Sequence, residues 1–194
     1  RSVFTGVVPI SYPDKIKSLI QTCAETQIHV MIIDADTSIT SEIGEILVIM
    51  DIFTHRFQTE YLAVIGNINS SNEWRVSEIK KQFPKLVAAT ALKDIEILTL
   101  KMREDYENLK LKLNEITKNQ SRNKHSPNAK VLIDHIFPVK GIGTVALGLV
   151  QQGQIEAGKM YDLMPVQKKV ILKSIQKFDR NFKTSEKGDR VGLA

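Results

Sequence analysis

The first half of the chain alternates between short apolar runs and apolar residues at helical spacing. Continuous apolar runs at 29–34 and 61–65 are typical of strands that are buried on both faces of a sheet. Two weaker runs, at 2–8 and 86–89, are interpreted as the first and last strands of the same sheet.

Helical spacing fills the intervals between these strands. Apolar side chains recur every three or four residues in the segments 16–23, 43–53 and 74–83. Strands that alternate with helices favour a mainly parallel sheet with helices on both faces. The sequence therefore predicts an α/β domain over residues 1–93.

A longer helical pattern and a polar segment follow this domain. Apolar residues at helical spacing, set among Glu and Lys, predict a helix over 94–117. The segment 118–130 is polar, basic and without periodicity, which is typical of a linker. Residues 94–130 are therefore assigned as a helix and a basic linker.

Short strands separated by glycine turns make up the rest of the chain. The strand-like segments are 131–137, 144–150, 159–164 and 170–176. Many short strands with glycine turns predict a small β-barrel over residues 131–194. The last residues have the pattern of a further strand, so we expect the barrel to be incomplete.

Composition narrows the class of protein only slightly. The 194 residues carry a net charge of +5, which favours an anionic partner weakly. A single cysteine excludes an internal disulfide and suits a reducing compartment, so we expect a cytoplasmic location. No apolar run reaches the length of a membrane span, and we expect no membrane partner.

The residues alone point to no catalytic residue and no metal site. The glycines of Gly141-Ile-Gly-Thr precede a β-rich stretch and are interpreted as turn residues, and no G-x-x-x-x-G-K-[ST] phosphate loop is present. Asp34 and Asp36 end a predicted buried strand, where they could hold a metal or serve as capping or solvated side chains. The lysine-rich strands of 131–194 fit either an RNA-binding surface or a solvated exterior.

Several motifs in the second half resemble domain II of the elongation factor Tu superfamily of translational GTPases. They are Asp134-His-Ile-Phe137, Lys173-Ser-Ile-Gln176 and Gly188-Asp-Arg-Val-Gly192, with glycines between them. Their combination is most similar to the SelB-like selenocysteine elongation factors, and the resemblance covers most of residues 131–194. It implies a degenerate P-loop-GTPase-like α/β domain, followed by a domain II-like β-barrel.

The first domain resembles the same family more faintly. The guanine-reading Asn-Lys-x-Asp motif falls on 67–70, where only Asn67 remains, and the family's Ser-Ala-Leu element resembles Thr90-Ala91-Leu92. The resemblance thus implies a degenerate nucleotide site at Asn67, Thr90 and Ala91.

The family's switch motif is altered as well. In the same register, Val8 replaces the magnesium-side aspartate and Tyr12 replaces the water-positioning histidine. The phosphate loop and first switch would lie before Arg1. GTP hydrolysis needs a held magnesium ion and a positioned water, so we expect no hydrolysis and no cofactor, GTP and GDP included.

The resemblance also implies a site in the barrel for the aminoacyl or terminal-adenosine end of a tRNA. The matching positions are Asp134, His135, Lys173, Gln176 and Arg190. The expected function is that of a translation elongation factor-like protein that binds tRNA or the ribosome, with other translation factors as further partners. Two alternatives stay open: a divergent active GTPase whose phosphate loop lies upstream, and a protein-interaction module.

Overall fold

The computed structural model describes residues 5–119 and 128–194 and divides into two compact units, residues 1–120 and 121–194. The first unit is a parallel sheet with helices between its strands. Its elements are α1 (Ile16–Glu25), β1 (Ile28–Asp34), α2 (Ser41–Phe57), β2 (Glu60–Gly66), α3 (Glu73–Val87), β3 (Ile97–Thr99) and α4 (Arg103–Asn119). None of the helices in the described residues is long and apolar enough to cross a membrane.

The parallel sheet has the strand order β1-β2-β3, with Ile28 opposite Glu60 and Ala63 opposite Ile97. One face carries the main core, in which Met31, Ile33 and Ile65 pack against α2 and α3. A second cluster joins α1 to α2 through Leu19, Cys23 and Ile49. The parallel order predicted from periodicity is confirmed. The prediction that the run 29–34 is buried on both faces is wrong, because Met31 and Ile33 face the core while Val30 and Ile32 are 38% and 70% exposed on the other face.

Two predicted strands of the first unit are wrong. Residues 5–8 have no regular secondary structure, and the rest of the predicted strand 2–8 lies outside the described residues. The run 86–89 closes α3 and enters a turn, because Ile79, Phe83 and Val87 recur every four residues and face the core together. A short apolar run does not distinguish a strand from the end of a buried helix.

The third strand therefore lies later in the chain than the pattern indicated. Residues 97–99 form it, so the helix expected from residue 94 begins only at Arg103. Leu92, fully buried, and Ile95 pack into the core in the connection that precedes this strand. Lys118 and Asn119, assigned to the linker, belong to α4, and the linker positions 120–127 lie outside the described residues.

The second unit consists of antiparallel strands in a barrel-like arrangement. Its strands are β4 (Lys130–Val139), β5 (Gly143–Gln152), β6 (Gln154–Glu156), β7 (Met160–Leu163), β8 (Lys168–Ile171), β9 (Ile175–Lys177), β10 (Arg180–Phe182), β11 (Thr184–Glu186) and β12 (Arg190–Leu193). They form a five-stranded sheet, β10-β9-β12-β5-β4, and two pairs, β11-β6 and β7-β8. The predicted fold class is confirmed, but the strand expected at 170–176 is two strands, β8 and β9.

A close approach between β4 and β5 shapes the five-stranded sheet. A Cβ added to Gly148 would lie 2.3 Å from the backbone oxygen of Leu132, so only glycine fits there. Next to it the register shifts between Ile133 and His135, which places Asp134 in a β-bulge. Bulges redirect side chains, and this one turns Asp134 toward β12.

Candidate functional site

Polar side chains meet at the carboxyl ends of β1 and β2. Asn67 follows β2 in a left-handed conformation, with φ of 56°. Its Nδ2 donates to both carboxylate oxygens of Asp34, at 3.0 and 3.2 Å, and to Oδ2 of Asp36 at 3.0 Å. The amide of Asn67 therefore links the two carboxylates of the neighbouring strand end.

A second amide completes this cluster. Asn72, only 2% exposed, donates to Oδ1 of Asp36 at 2.6 Å and to the backbone oxygen of Asn67 at 2.9 Å. Arg75 donates to the backbone oxygen of Asp36. Both aspartates thus accept bonds from neighbouring amides. Among residues 5–119 and 128–194, no three His, Cys, Asp or Glu side chains are grouped so that they could hold a metal ion.

Thr90 and Ala91 lie away from this cluster. The hydroxyl of Tyr61 donates to the backbone oxygen of Ala91 at 2.8 Å, and Tyr61 is near the start of β2. Asn67 follows the last residue of that strand, about 20 Å further along it. The structure therefore does not bring together the three residues proposed as a degenerate nucleotide site.

Thr99 and Lys101, at the end of β3, lie at the carboxyl edge of the parallel sheet, where the resemblance predicts Thr90 and Ala91. Together with Ile68 and Lys80 they line a cleft of about 360 Å³ between α3 and the end of β3. Lys101 is paired there with Glu73 at 2.7 Å. The sequence signal for these residues is the strand that ends at Thr99, and the apolar run 86–89 conceals it by resembling the last strand of the sheet.

Tyr12, which aligns with the water-positioning histidine of the resembled family, is hydrogen-bonded to α2. Its hydroxyl donates to the backbone oxygen of Glu42 at 3.0 Å and to Oε2 of Glu45 at 3.2 Å. Burial and the bond with Glu45 raise the pKa of Tyr12 to about 12. Its ring packs beside the α1–α2 cluster. Val8 is 73% exposed in the segment before it.

In the second unit, Asp134, His135 and Arg190 lie together. Nη2 of Arg190 donates to Oδ2 of Asp134 at 2.5 Å, and Nδ1 of His135 lies 3.0 Å from the same oxygen. Burial acts to raise the pKa of Asp134, but the bonds from Arg190 and His135 outweigh it and hold the pKa below its usual value. The side chain of Asp134 is only 9% exposed, so its charge positions Arg190 and His135 rather than facing solvent.

Gln176 lies on the same face of the sheet as His135. The strand register places Asn181, Gln176, Gly192, Leu147 and His135 opposite one another across all five strands, in the order β10-β9-β12-β5-β4. Residues paired in this way project to one face, and Gln176 and His135 are separated by about 14 Å along the row. Ile175, Val191 and Val150 occupy alternate positions along the same strands, so their side chains project to the opposite face of the sheet and form the core.

A shallow trough lies at the centre of this row. Gly192 has no side chain, and a Cβ added there would lie 3.6 Å from Leu147 and 3.8 Å from Gln176. Nε2 of Gln176 donates to Oδ1 of Asn181 at 3.2 Å, which orients both amides. We call the row Asn181–Gln176–Gly192–Leu147–His135, with Arg190 beside it, the outer face. Sequence reasoning missed Asn181 and Leu147, which carry no motif signal.

Lys173 lies outside this row, in the segment that precedes β9. Its backbone N–H donates to the oxygen of Ala194 at 2.7 Å, and its side chain is exposed. The structure thus places all five proposed barrel residues in or beside one sheet. Only Asp134, His135 and Arg190 are in contact.

Comparison with known proteins gives both the fold and a sequence relationship. A SelB elongation factor from Methanococcus maripaludis superposes with a TM-score of 0.75 at 22% identity, over 92% of this chain and 39% of that one. A bacterial selenocysteine-specific elongation factor superposes with a TM-score of 0.80 at 20% identity, over 94% of this chain and 31% of that one. The fold is that of the SelB-type translational GTPases.

Two curated proteins of Methanocaldococcus jannaschii match in sequence. An uncharacterized protein is 31% identical over 97% of this chain and 54% of its own length. The selenocysteine-specific elongation factor is 27% identical over 84% of this chain and 35% of its own length. No protein-family model matches. This chain is related to the SelB-like members of the translational GTPase superfamily and spans about half or less of the relatives it matches.

Proposed function

We propose that this chain is an elongation factor-like protein that binds tRNA or the ribosome and does not hydrolyse GTP. The observation that carries the proposal is the outer face, where the amides of Gln176 and Asn181 lie on one side of Gly192 along the row and the imidazole of His135 on the other. The guanidinium of Arg190 lies on the same strand as Gly192. The relationship to selenocysteine elongation factors supports a role in translation.

The outer face has the chemistry that a terminal nucleoside requires. The amides of Gln176 and Asn181 can both donate and accept hydrogen bonds at the edge of a base. At Gly192 no side chain stands between Leu147 and Gln176, so the face of a base can approach the backbone of β12 there. The exposed Lys173 supplies positive charge for phosphate or carboxylate groups, while Arg190, whose charge is paired with Asp134, can supply N–H donors to them.

The first unit supports the absence of hydrolysis. Val8 offers no oxygen ligand for magnesium, and the hydroxyl of Tyr12 is bonded to α2. The amide of Asn67 is bonded to Asp34 and Asp36 and does not meet Thr90 or Ala91. These residues do not fit a guanine nucleotide and its metal.

The test is tRNA binding at low and moderate salt. Lys173→Ala, Gln176→Ala and Gly192→Ala should each weaken binding, with about a fivefold loss or more for Gly192→Ala because its methyl group fills the trough. The added Cβ makes only ordinary contacts, so the variant should remain folded. Binding should weaken with salt, as expected for phosphate contacts.

Matched controls lie in the same unit. Lys168→Ala removes an equal charge from exposed β8, and Gln154→Ala truncates an exposed amide on β6. Equal affinities for variants and controls, or no tRNA binding by the wild type, would favour the protein-interaction module instead. Magnesium-dependent GTP turnover that a first-unit substitution abolishes would establish the divergent GTPase.

A further inference from the structure

The hairpin that joins β9 to β10 has an unusual two-residue turn. Phe178 and Asp179 connect Lys177 to its cross-strand partner Arg180, and both have left-handed backbone conformations, with φ of 50° and 58°. Two-residue hairpin turns of this kind favour Asn-Gly or Asp-Gly, since glycine adopts positive φ without steric conflict. A bulky aromatic residue is disfavoured there.

The side chain of Phe178 makes few packing contacts that would offset this unfavourable backbone conformation. It is 72% exposed, more than any other aromatic side chain among the described residues, and it is absent from the buried clusters. An aromatic ring in solvent on a disfavoured backbone costs stability without contributing packing. Such a conflict between local preference and observed structure is typical of a functional site.

The surroundings of the turn are basic. Between Lys173 and Arg190 the chain carries six basic and three acidic side chains. One acid, Asp189, is bonded to Lys177, and another, Asp179, lies exposed in the turn itself. Arg180 is exposed, and the side chain of Lys183 is 83% exposed with its Nζ 3.9 Å from Oε1 of Glu156. An exposed aromatic ring among exposed cations complements an unpaired base flanked by phosphates, whereas an apolar protein pocket would not require the cations.

We propose that the β9–β10 turn is a single-stranded RNA contact in which the ring of Phe178 stacks on an unpaired base. Arg180 directly follows the turn and is exposed, so it supplies the cation for a flanking phosphate. This contact is separate from the trough at Gly192, and it rests on the proposed function that the chain binds RNA. It adds a preference for unpaired nucleotides, because stacking on a base face requires a base outside a duplex.

Four substitutions at Phe178 separate the role of the ring from its role in the fold. The probes are a short single-stranded oligoadenylate RNA and an RNA duplex of equal length. Phe178→Ala, Phe178→Leu and Phe178→Gly should bind the single strand about fivefold more weakly or worse, while Phe178→Trp keeps or improves affinity. Duplex binding should change little. Tyr106→Leu removes an exposed aromatic ring from α4 and serves as the matched control.

The unfolding temperature of Phe178→Gly distinguishes a role in RNA binding from a role in stabilising the fold. Because glycine accepts the positive φ, Phe178→Gly should unfold at the same temperature as the wild type or higher, while it loses affinity for RNA. A lowered unfolding temperature would mean that the ring packs in the native protein, and would overturn the inference.

Fluorescence tests stacking directly. Trp74 is the only tryptophan of the chain, so Phe178→Trp in a Trp74→Phe background places one reporter at the turn. Single-stranded RNA should quench it, whereas Tyr106→Trp in the same background should be unaffected. Unchanged fluorescence, or equal affinity of the wild type and the Phe178 variants, overturns this inference alone. If the wild type binds neither tRNA nor oligoadenylate, the proposed function fails as well.

Discussion

Three hydrogen-bond donors converge on the carboxylate of Asp189. Oδ2 accepts bonds from Nζ of Lys177 at 2.7 Å, the hydroxyl of Ser185 at 2.7 Å and the backbone N–H of Glu186 at 3.0 Å. Partial burial acts to raise the pKa of Asp189, but these bonds outweigh it, so the pKa lies below its usual value. The aspartate of the Gly-Asp-Arg-Val-Gly motif therefore has a structural role.

Asp189→Asn should lower the free energy of unfolding of the second unit by about 1–3 kcal/mol near neutral pH. Because the charged carboxylate is favoured in the folded state, it contributes stability at pH values above the unfolded-state pKa of about 3.9. This contribution is lost as the pH falls through the lower folded-state pKa. The variant should thus approach the wild type in acid. Amide hydrogen exchange of 128–194 measures the difference, since Trp74 reports only on the first unit.

Asp179→Asn is the control for this prediction, because it makes the same change in an exposed turn that tolerates asparagine. A gap between Asp189→Asn and the wild type that stays constant from neutral to acidic pH would contradict the argument from the carboxylate charge.

At the scale of elements, Asn72 joins three segments of the first unit. It lies just before α3, donates to Asp36 after β1 and to the backbone of Asn67 after β2, and accepts a bond from the backbone N–H of Asn69 at 2.8 Å. These bonds hold the loops at the carboxyl edge of the sheet in one arrangement. A lone Asn in the sequence gives no sign of this role, because its partners are up to 36 residues away.

Asn72→Ala should destabilise the first unit by about 2–4 kcal/mol, since it leaves buried donors and acceptors without partners. Urea unfolding followed by the fluorescence of Trp74 measures this, because Trp74 lies two residues away in α3. Asn114→Ala, which removes one helix side-chain bond to Lys110, should change stability by only about 0.5 kcal/mol or less. Similar effects of the two substitutions would refute the bracing role of Asn72.

At the scale of the whole molecule, each buried cluster contains residues from only one of the two units. The clusters around Phe83 and Leu19 contain residues before 100, and the cluster around Ile175 contains residues after 128. Each unit therefore has the apolar contacts of a folding unit of its own.

We expect Asn72→Ala and Asp189→Asn to act on separate units. Hydrogen exchange in Asn72→Ala should accelerate within β1 and β2 and keep wild-type rates in β5 and β12, and Asp189→Asn should do the reverse. The double variant should show the sum of the two effects, as independent sites usually do. Acceleration of both units by either single substitution would show that the two cores unfold together.

Periodicity alone determined much of this protein. Alternating runs predicted the parallel sheet and its helices, and glycine-spaced strands predicted the antiparallel unit, because apolar spacing reflects which side of an element is buried. The misassigned run 86–89 shows the limit, since Leu86 and Val87 belong to a buried helix end that a short apolar run does not distinguish from a strand. The motifs around Asp134 and Arg190 carried the family relationship without revealing that these side chains pair.

The tertiary structure decided which of these residues meet. Thr90 and Ala91 were placed beside Asn67 by motif order, but the fold puts them at the other end of β2. The outer face joins Asn181, Gln176 and His135 through strand register across five strands. Register depends on pairings between distant segments, and the bulge at Asp134 shifts it by one residue, whereas local periodicity shows only which residues of a single strand share a face.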